Sequence, residues 1–128
     1  MNIDNFLKEY NGHRFADDGA YCSADFKSFS RKFKNYLKRN LPDGCRIINH
    51  NCGHYYVSGF IKKEEQYVYY SYSWDRFNSF DIKKECVLIR AAKNEKDYTG
   101  GINHYTSISA LPKYIQNMLG IDLYIMKN

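Results

Sequence analysis

The chain has 128 residues, 44% of them hydrophobic and 17% aromatic, and carries 19 Lys/Arg against 14 Asp/Glu for a net charge of +5. That length fits one domain that buries about two-thirds of its unfolded surface, with the hydrophobic share of an ordinary globular protein. No apolar run approaches the roughly 18 residues that a bilayer-spanning helix needs, which excludes that class.

Ile3, Phe6, Leu7 and Tyr10 recur at helical spacing and predict a first helix over residues 2–10. Asn11-Gly12 and Asp17-Asp18-Gly19 make residues 11–24 a loop. Ser23 or Asp25 then caps a second helix over 25–40, stopped by the turn Pro42-Asp43-Gly44. Phe26, Phe29, Phe33, Tyr36 and Leu37 share one side of that helix. Residues 45–50 and 54–61 read as two strands around Asn51-Cys52-Gly53. Lys62 to Glu65 is a charged hairpin connection to the strongest strand, residues 66–74, in which Val68, Tyr70, Tyr72 and Trp74 alternate toward the core. A fourth strand covers 86–92. Residues 93–107 are polar and long for a connector. Ile108, Leu111, Ile115, Met118 and Leu119 mark a last helix over 108–119, with Pro112 in its first turn and Gly120 ending it. Ile121 to Met126 adds an edge strand. The expected fold is a single α+β domain over residues 1–128, an antiparallel sheet of four to five strands packed by two or three helices.

Charge is spread unevenly. Residues 26–63 hold nine Lys/Arg against Asp43 alone. At about 100° per residue, Lys27, Arg31, Lys34 and Lys38 fall within roughly 60° around the second helix, opposite its Phe side. No acid within that helix is spaced to neutralise them. With Arg46, Lys62 and Lys63 they form a candidate partner-binding set for an acidic protein surface or a nucleic acid. The alternative is a lysine face that serves solubility alone.

Three further constellations carry chemical residue types. His50, Cys52 and His54, with Cys45 nearby, have zinc-ligand identities but no Cys-x-x-Cys pair. Alternate residues of an extended chain cannot all converge on one ion, so no metal and no cofactor is expected, with His50 and His54 at a hairpin rim. Cys22, Cys52 or Cys86 beside His54 or His104 would make a nucleophile pair, yet no local signature surrounds any of them. The 93–107 loop holds Asp97, Tyr98, Asn103 and His104, and Gly100-Gly101 there allows close backbone approach to a phosphate. That loop keeps alive a small hydrolase or nuclease, for which Asp97 and His104 must converge. His54 to Phe60 places aromatics on a strand, where they could stack bases, and packing against a helix is the simpler account.

Met1 to Asp4 opens an acidic amphipathic stretch rather than a basic-then-apolar leader, so the expected compartment is the cytoplasm, with reduced cysteines. Secretion would instead allow two bridges.

The stretches Phe33-Lys34-Asn35-Tyr36-Leu37-Lys38-Arg39-Asn40-Leu41-Pro42, Gly53-His54-Tyr55-Tyr56-Val57-Ser58-Gly59-Phe60 and Asp97-Tyr98-Thr99-Gly100-Gly101 resemble uncharacterised small proteins of phages and mobile elements in low-GC Gram-positive bacteria. The Lys-, Asn-, Ile- and Tyr-rich composition is similar too. Proteins of that size and origin include inhibitors of CRISPR nucleases. The resemblance implies an anti-defence protein that binds and blocks, possible partners including a CRISPR effector ribonucleoprotein, and it brings no active residues with it.

Overall fold

The computed structural model describes residues 5–12, 24–53, 56–73 and 83–127. The elements are α1 (Asn5–Tyr10), α2 (Ala24–Asn40), β1 (Arg46–Cys52), β2 (Tyr56–Lys63), β3 (Gln66–Ser73), β4 (Val87–Ala92), β5 (His104–Thr106) and α3 (Leu111–Lys127). The strands form one sheet in chain order, β1-β2-β3-β4-β5, and every neighbouring pair is antiparallel. The expected α+β architecture is what the chain adopts.

Alternation along the strands decides which side the helices take. Val57, Ile61, Val68, Tyr70, Tyr72, Val87 and Ile89 face one way and are buried. The α2 aromatics meet them there: the Phe29 ring lies 5.5 Å from Tyr72, and Phe33 stacks on Tyr70 at 5.8 Å. Phe26, Phe29, Phe33, Tyr36 and Leu37 are all at most 3% exposed, so the side of α2 assigned to the core is the buried side. Phe6 of α1 packs its ring on Phe29, Phe33 and Tyr36, and Leu111, Ile115 and Leu119 of α3 complete the same layer. Tyr36 donates from its hydroxyl to the Ile108 carbonyl at 2.7 Å, tying α2 to the entry of α3.

Local chemistry sets the ends of these elements. Asn40 donates from Nδ2 to the Tyr36 carbonyl at 2.8 Å, closing the last turn of α2. Pro42 cannot continue that helix, and Gly44 takes φ 91°, which only glycine adopts freely, to turn the chain into β1. Ser107 receives the Ala110 amide on its hydroxyl before α3 starts, and Pro112 sits at the second position of that helix, where its missing N–H costs nothing.

Two expectations fail at the C-terminal end. The fifth strand is His104–Thr106, inside the polar stretch that read as loop, and not Ile121 to Met126. Gly120 does not end the last helix, which runs on to Lys127. A glycine inside a helix costs only about 1 kcal/mol, and a short apolar run has no unique period. Further back, α2 begins at Ala24, so Asp25 lies within its first turn rather than at the cap. Ser23, Cys22, His54 and Trp74 lie outside the described residues.

Candidate functional site

The end of α2, the Pro42-Asp43-Gly44 turn and the start of β1 enclose a groove of about 400 Å³. Lys34, Lys38 and Arg46 line it over a floor of Leu41, Pro42 and Ile47, with Asp43 as the acid among its lining residues. The turn folds the chain back on itself, and this brings Arg46 beside helix positions eight and twelve residues earlier in sequence. Lys63 joins at the rim: its Cε lies 3.9 Å from where a Cβ on Gly44 would stand. Cys45 is half-buried in the groove wall; burial pushes its thiol up, against a smaller downward pull from the Lys63 ammonium. The upward shift disfavours the thiolate of Cys45.

Lys27 and Arg31 are exposed on the same stripe of α2, which runs about 16 Å from Lys27 to Lys38 at 1.5 Å per residue. Within the described residues, none of Lys27, Arg31, Lys34, Lys38, Arg46 or Lys63 has an ion-pair partner. Lys32 of α2, off the stripe, holds Glu9 of α1 at 2.6 Å. Lys62 leaves the groove set. It sits on the sheet face away from the helices, its ammonium 5.3 Å from the Tyr67 ring centre.

His50 is not at a hairpin rim. The β1–β2 register shifts between Ile48 and Asn51, and Asn49 takes φ 55°. This bulge rotates His50 to the helix side of the sheet. There its Nδ1 lies 2.6 Å from the Tyr70 hydroxyl, and its Nε2 lies 2.9 Å from the Ser30 hydroxyl and 3.1 Å from the Ser30 carbonyl. A carbonyl only accepts, so Nε2 carries the proton and Nδ1 accepts from Tyr70, whose burial holds its phenol pKa well above the usual range. Ser30 thus has no base beside it, because the nitrogen it meets is already protonated. Burial also lowers the His50 pKa to about 4, with Lys34 pushing the same way and the Ser30 carbonyl opposing. Both ring nitrogens are occupied, which removes His50 from any metal set. Among the described residues no group of three or more His, Cys, Asp and Glu side chains is placed to hold an ion.

The 93–101 loop is built around its own carboxylate. Asp97 accepts from the Lys93 amide at 2.9 Å and the Gly100 amide at 2.8 Å. These two bonds, then the Arg90 charge, hold its pKa below the usual carboxylate range. A Cβ on Gly100 would stand 2.8 Å from Asp97 Oδ1, and one on Gly101, at φ 83°, 2.6 Å from the Ala91 carbonyl. The glycines therefore serve backbone geometry, and the anion at the Gly100 amide is Asp97 itself rather than a phosphate. Arg90, 2% exposed, donates to the Asp97 carbonyl at 2.6 Å and lies 4.6 Å over the Tyr69 ring. Asn49 donates to the Glu95 carbonyl at 3.0 Å, so the loop reaches back across the sheet to β1. Tyr98 closes over Phe60 and Tyr69 at 5.2 and 5.9 Å. Phe60 is therefore buried by this loop, on the face away from the helices, and not by packing against a helix.

Asp97 and His104 do not converge. Asp97 belongs to the Arg90 side of the sheet. His104 pairs with Ile89 on the other side, where its ring lies 6.3 Å from Tyr114 of α3. Asn103 is exposed between them in sequence, and Tyr98 is 52% exposed. Cys45, Cys52 and Cys86 are free thiols, and Cys86 is fully buried in the core. No helix among the described residues is long and apolar enough to cross a membrane. No family model, curated protein or solved structure matches the chain.

Sequence reasoning missed three things: the Ser30–His50–Tyr70 bonds, the burial of Arg90, and the position of Tyr67 beside Lys62. The period-2 pattern of β3 carried a signal for the last, since it already put Tyr67 on the wetter face.

Proposed function

We propose that this protein is a non-enzymatic binder that presents the basic side of α2 and the groove at its end to a polyanionic partner. The observation that carries this reading is the convergence of Lys34, Lys38 and Arg46 on one groove, with Lys63 at its rim and Asp43 the acid among the lining residues. Unpaired cations gathered in a concavity raise the local positive potential and draw in anions from a distance. The separation of Asp97 from His104, and the engagement of the Asp97 carboxylate by its own loop, argue against hydrolysis at 93–107.

In its finer form the reading is an anti-defence protein that blocks a nucleic-acid-handling enzyme, or the nucleic acid that enzyme holds, in the cytoplasm. A CRISPR effector ribonucleoprotein offers both kinds of anionic surface. The resemblance read from the sequence motivates this form.

The competing role of the same residues is local. Lys38 and Arg39 lie in the last turn of α2, where cations offset the negative end of the helix dipole. Reversing Lys27, Arg31, Lys34 and Lys38 to Glu together distinguishes the two. Lys27, Arg31 and Lys38 are exposed, where changes cost under about 0.5 kcal/mol each, and Lys34 is half-buried, so the variant is expected to fold with a modest loss of stability. Its binding to heparin resin and to polyanionic partners should collapse at low salt. A folded fourfold variant retained on heparin as strongly as the wild type refutes the proposal.

A further inference from the structure

We infer that the ligand of the basic groove is a single-stranded nucleic acid, its backbone on Lys34, Lys38 and Arg46 and a base stacked on Tyr67 of the open sheet face. This rests on the reading of the groove given above and names what it binds. The strand register puts Arg46, Lys62, Tyr67 and Ala92 in one row across β1, β2, β3 and β4. The row lies on the face opposite the helices, because its neighbours Ile61 and Val68 belong to the core. Arg46 is both the end of this row and a wall of the groove. Arg46 therefore links the groove at the end of α2 to the sheet face at the β1 edge. From Arg46 to Tyr67 the row crosses two strand spacings, about 10 Å.

Within the row a ring has a cation against it. Tyr67 and Lys62 are both half-buried, and the ammonium stands 5.3 Å from the ring centre. A base settles over that ring, and Lys62 moves onto the adjoining phosphate; a ring with a cation beside it is the unit by which proteins hold unpaired bases. Ala92 next to Tyr67 raises no bulk against an incoming base. Farther along the face Tyr98 and the 93–101 loop cover Phe60 and Arg90, so the open ring nearest the groove is Tyr67. A duplex keeps its bases stacked inside and offers Tyr67 no ring face. An acidic protein engages the cations and leaves the ring without a role.

The test uses the full chain with labelled dT and U oligomers of about 16 nucleotides, a duplex of equal length, and polyglutamate, each over a salt series. The single strands are expected to bind more tightly than the duplex. Tyr67→Leu should weaken that binding about tenfold with the salt slope unchanged, and Tyr67→Phe should restore it. Lys34→Glu, Lys38→Glu and Arg46→Glu should each lower the slope by about 0.7. Circular dichroism verifies the fold of each variant, and Lys62→Gln, with an expected drop in slope, serves if Tyr67→Leu fails to fold. Wild-type affinity in folded Tyr67→Leu, or an unchanged slope in Lys62→Gln, overturns the inference, as does equal affinity for the duplex. Binding to polyglutamate alone, lost in the charge reversals, overturns the nucleic-acid ligand but leaves the basic groove standing. Binding to none of the four overturns both.

Discussion

At the scale of single residues, a close contact lies under Gly59. A Cβ built there would stand 2.5 Å from the Tyr70 hydroxyl and 3.1 Å from the His50 Cα. The missing side chain is what admits the Ser30–His50–Tyr70 bonds between α2, β1 and β3. This network makes stability depend on pH with a definite sign. Unfolded, His50 takes up a proton below its ordinary 6.5, whereas folded it resists until about 4. Between those values the unfolded chain binds more protons, so stability is lost as pH falls and is fully present above 6.5. The loss from this group is of the order of 2 kcal/mol after allowing for its partly open side. Ser30, Tyr70 and Lys34 are the groups that face it, and Lys34 sharpens the effect by opposing a second positive charge. Urea midpoints at pH 7 and pH 5 should differ in the wild type. His50→Gln should lower the midpoint at pH 7 and flatten that difference; an equal pH dependence in the variant would assign it elsewhere. None of this was legible in the sequence. Simple alternation gives His50 the same side as Ile48, and the bulge at Asn49 that reverses it has no period-2 signature.

At the scale of elements, the helix and strand faces that read clearly were those whose partners lie along the same element. The repeat of Phe26, Phe29, Phe33, Tyr36 and Leu37 and the alternation of Val68, Tyr70 and Tyr72 each specify a buried side without knowledge of the partner. Phe60 and Arg90 were opaque for the opposite reason. They are buried by Tyr98 and Asp97, which arrive from a polar loop with no apolar pattern of its own. The groove falls between these cases: the stripe on α2 was readable, but its meeting with Arg46 and Lys63 depends on the turn geometry at Gly44. The loop is held by Arg90 as much as by Asp97. Arg90→Ala removes both the contact over Tyr69 and the bond to the Asp97 carbonyl, and is expected to cost about 2–4 kcal/mol. Tyr98 should become more accessible to chemical iodination in the same variant. Unchanged stability would mean that the loop is fixed by Asn49 and its own turn bonds instead. Because the Asp97 pKa is depressed, the loop should also loosen as pH falls through the lowered carboxylate range.

At the scale of the whole molecule, the sheet order is the chain order, so each strand is stitched only to its predecessor and its successor. Such a meander has no central crossover to lock it, and its cohesion is set pair by pair. β2 and β3 share eight aligned residue pairs, whereas β4 and β5 share three. Amide exchange should therefore follow a gradient: fastest at His104, Tyr105 and Thr106, slowest in the middle of β2 and β3. Uniform protection across all five strands would contradict this. The gradient has a consequence for how the molecule meets anything at all. Lys62 and Tyr67 face each other across the eight-pair seam, one pair from its turn, so their backbones are held in place and lose little freedom on contact. Tyr105 sits on the fraying margin, where the backbone amides of β5 are the first to become available to water.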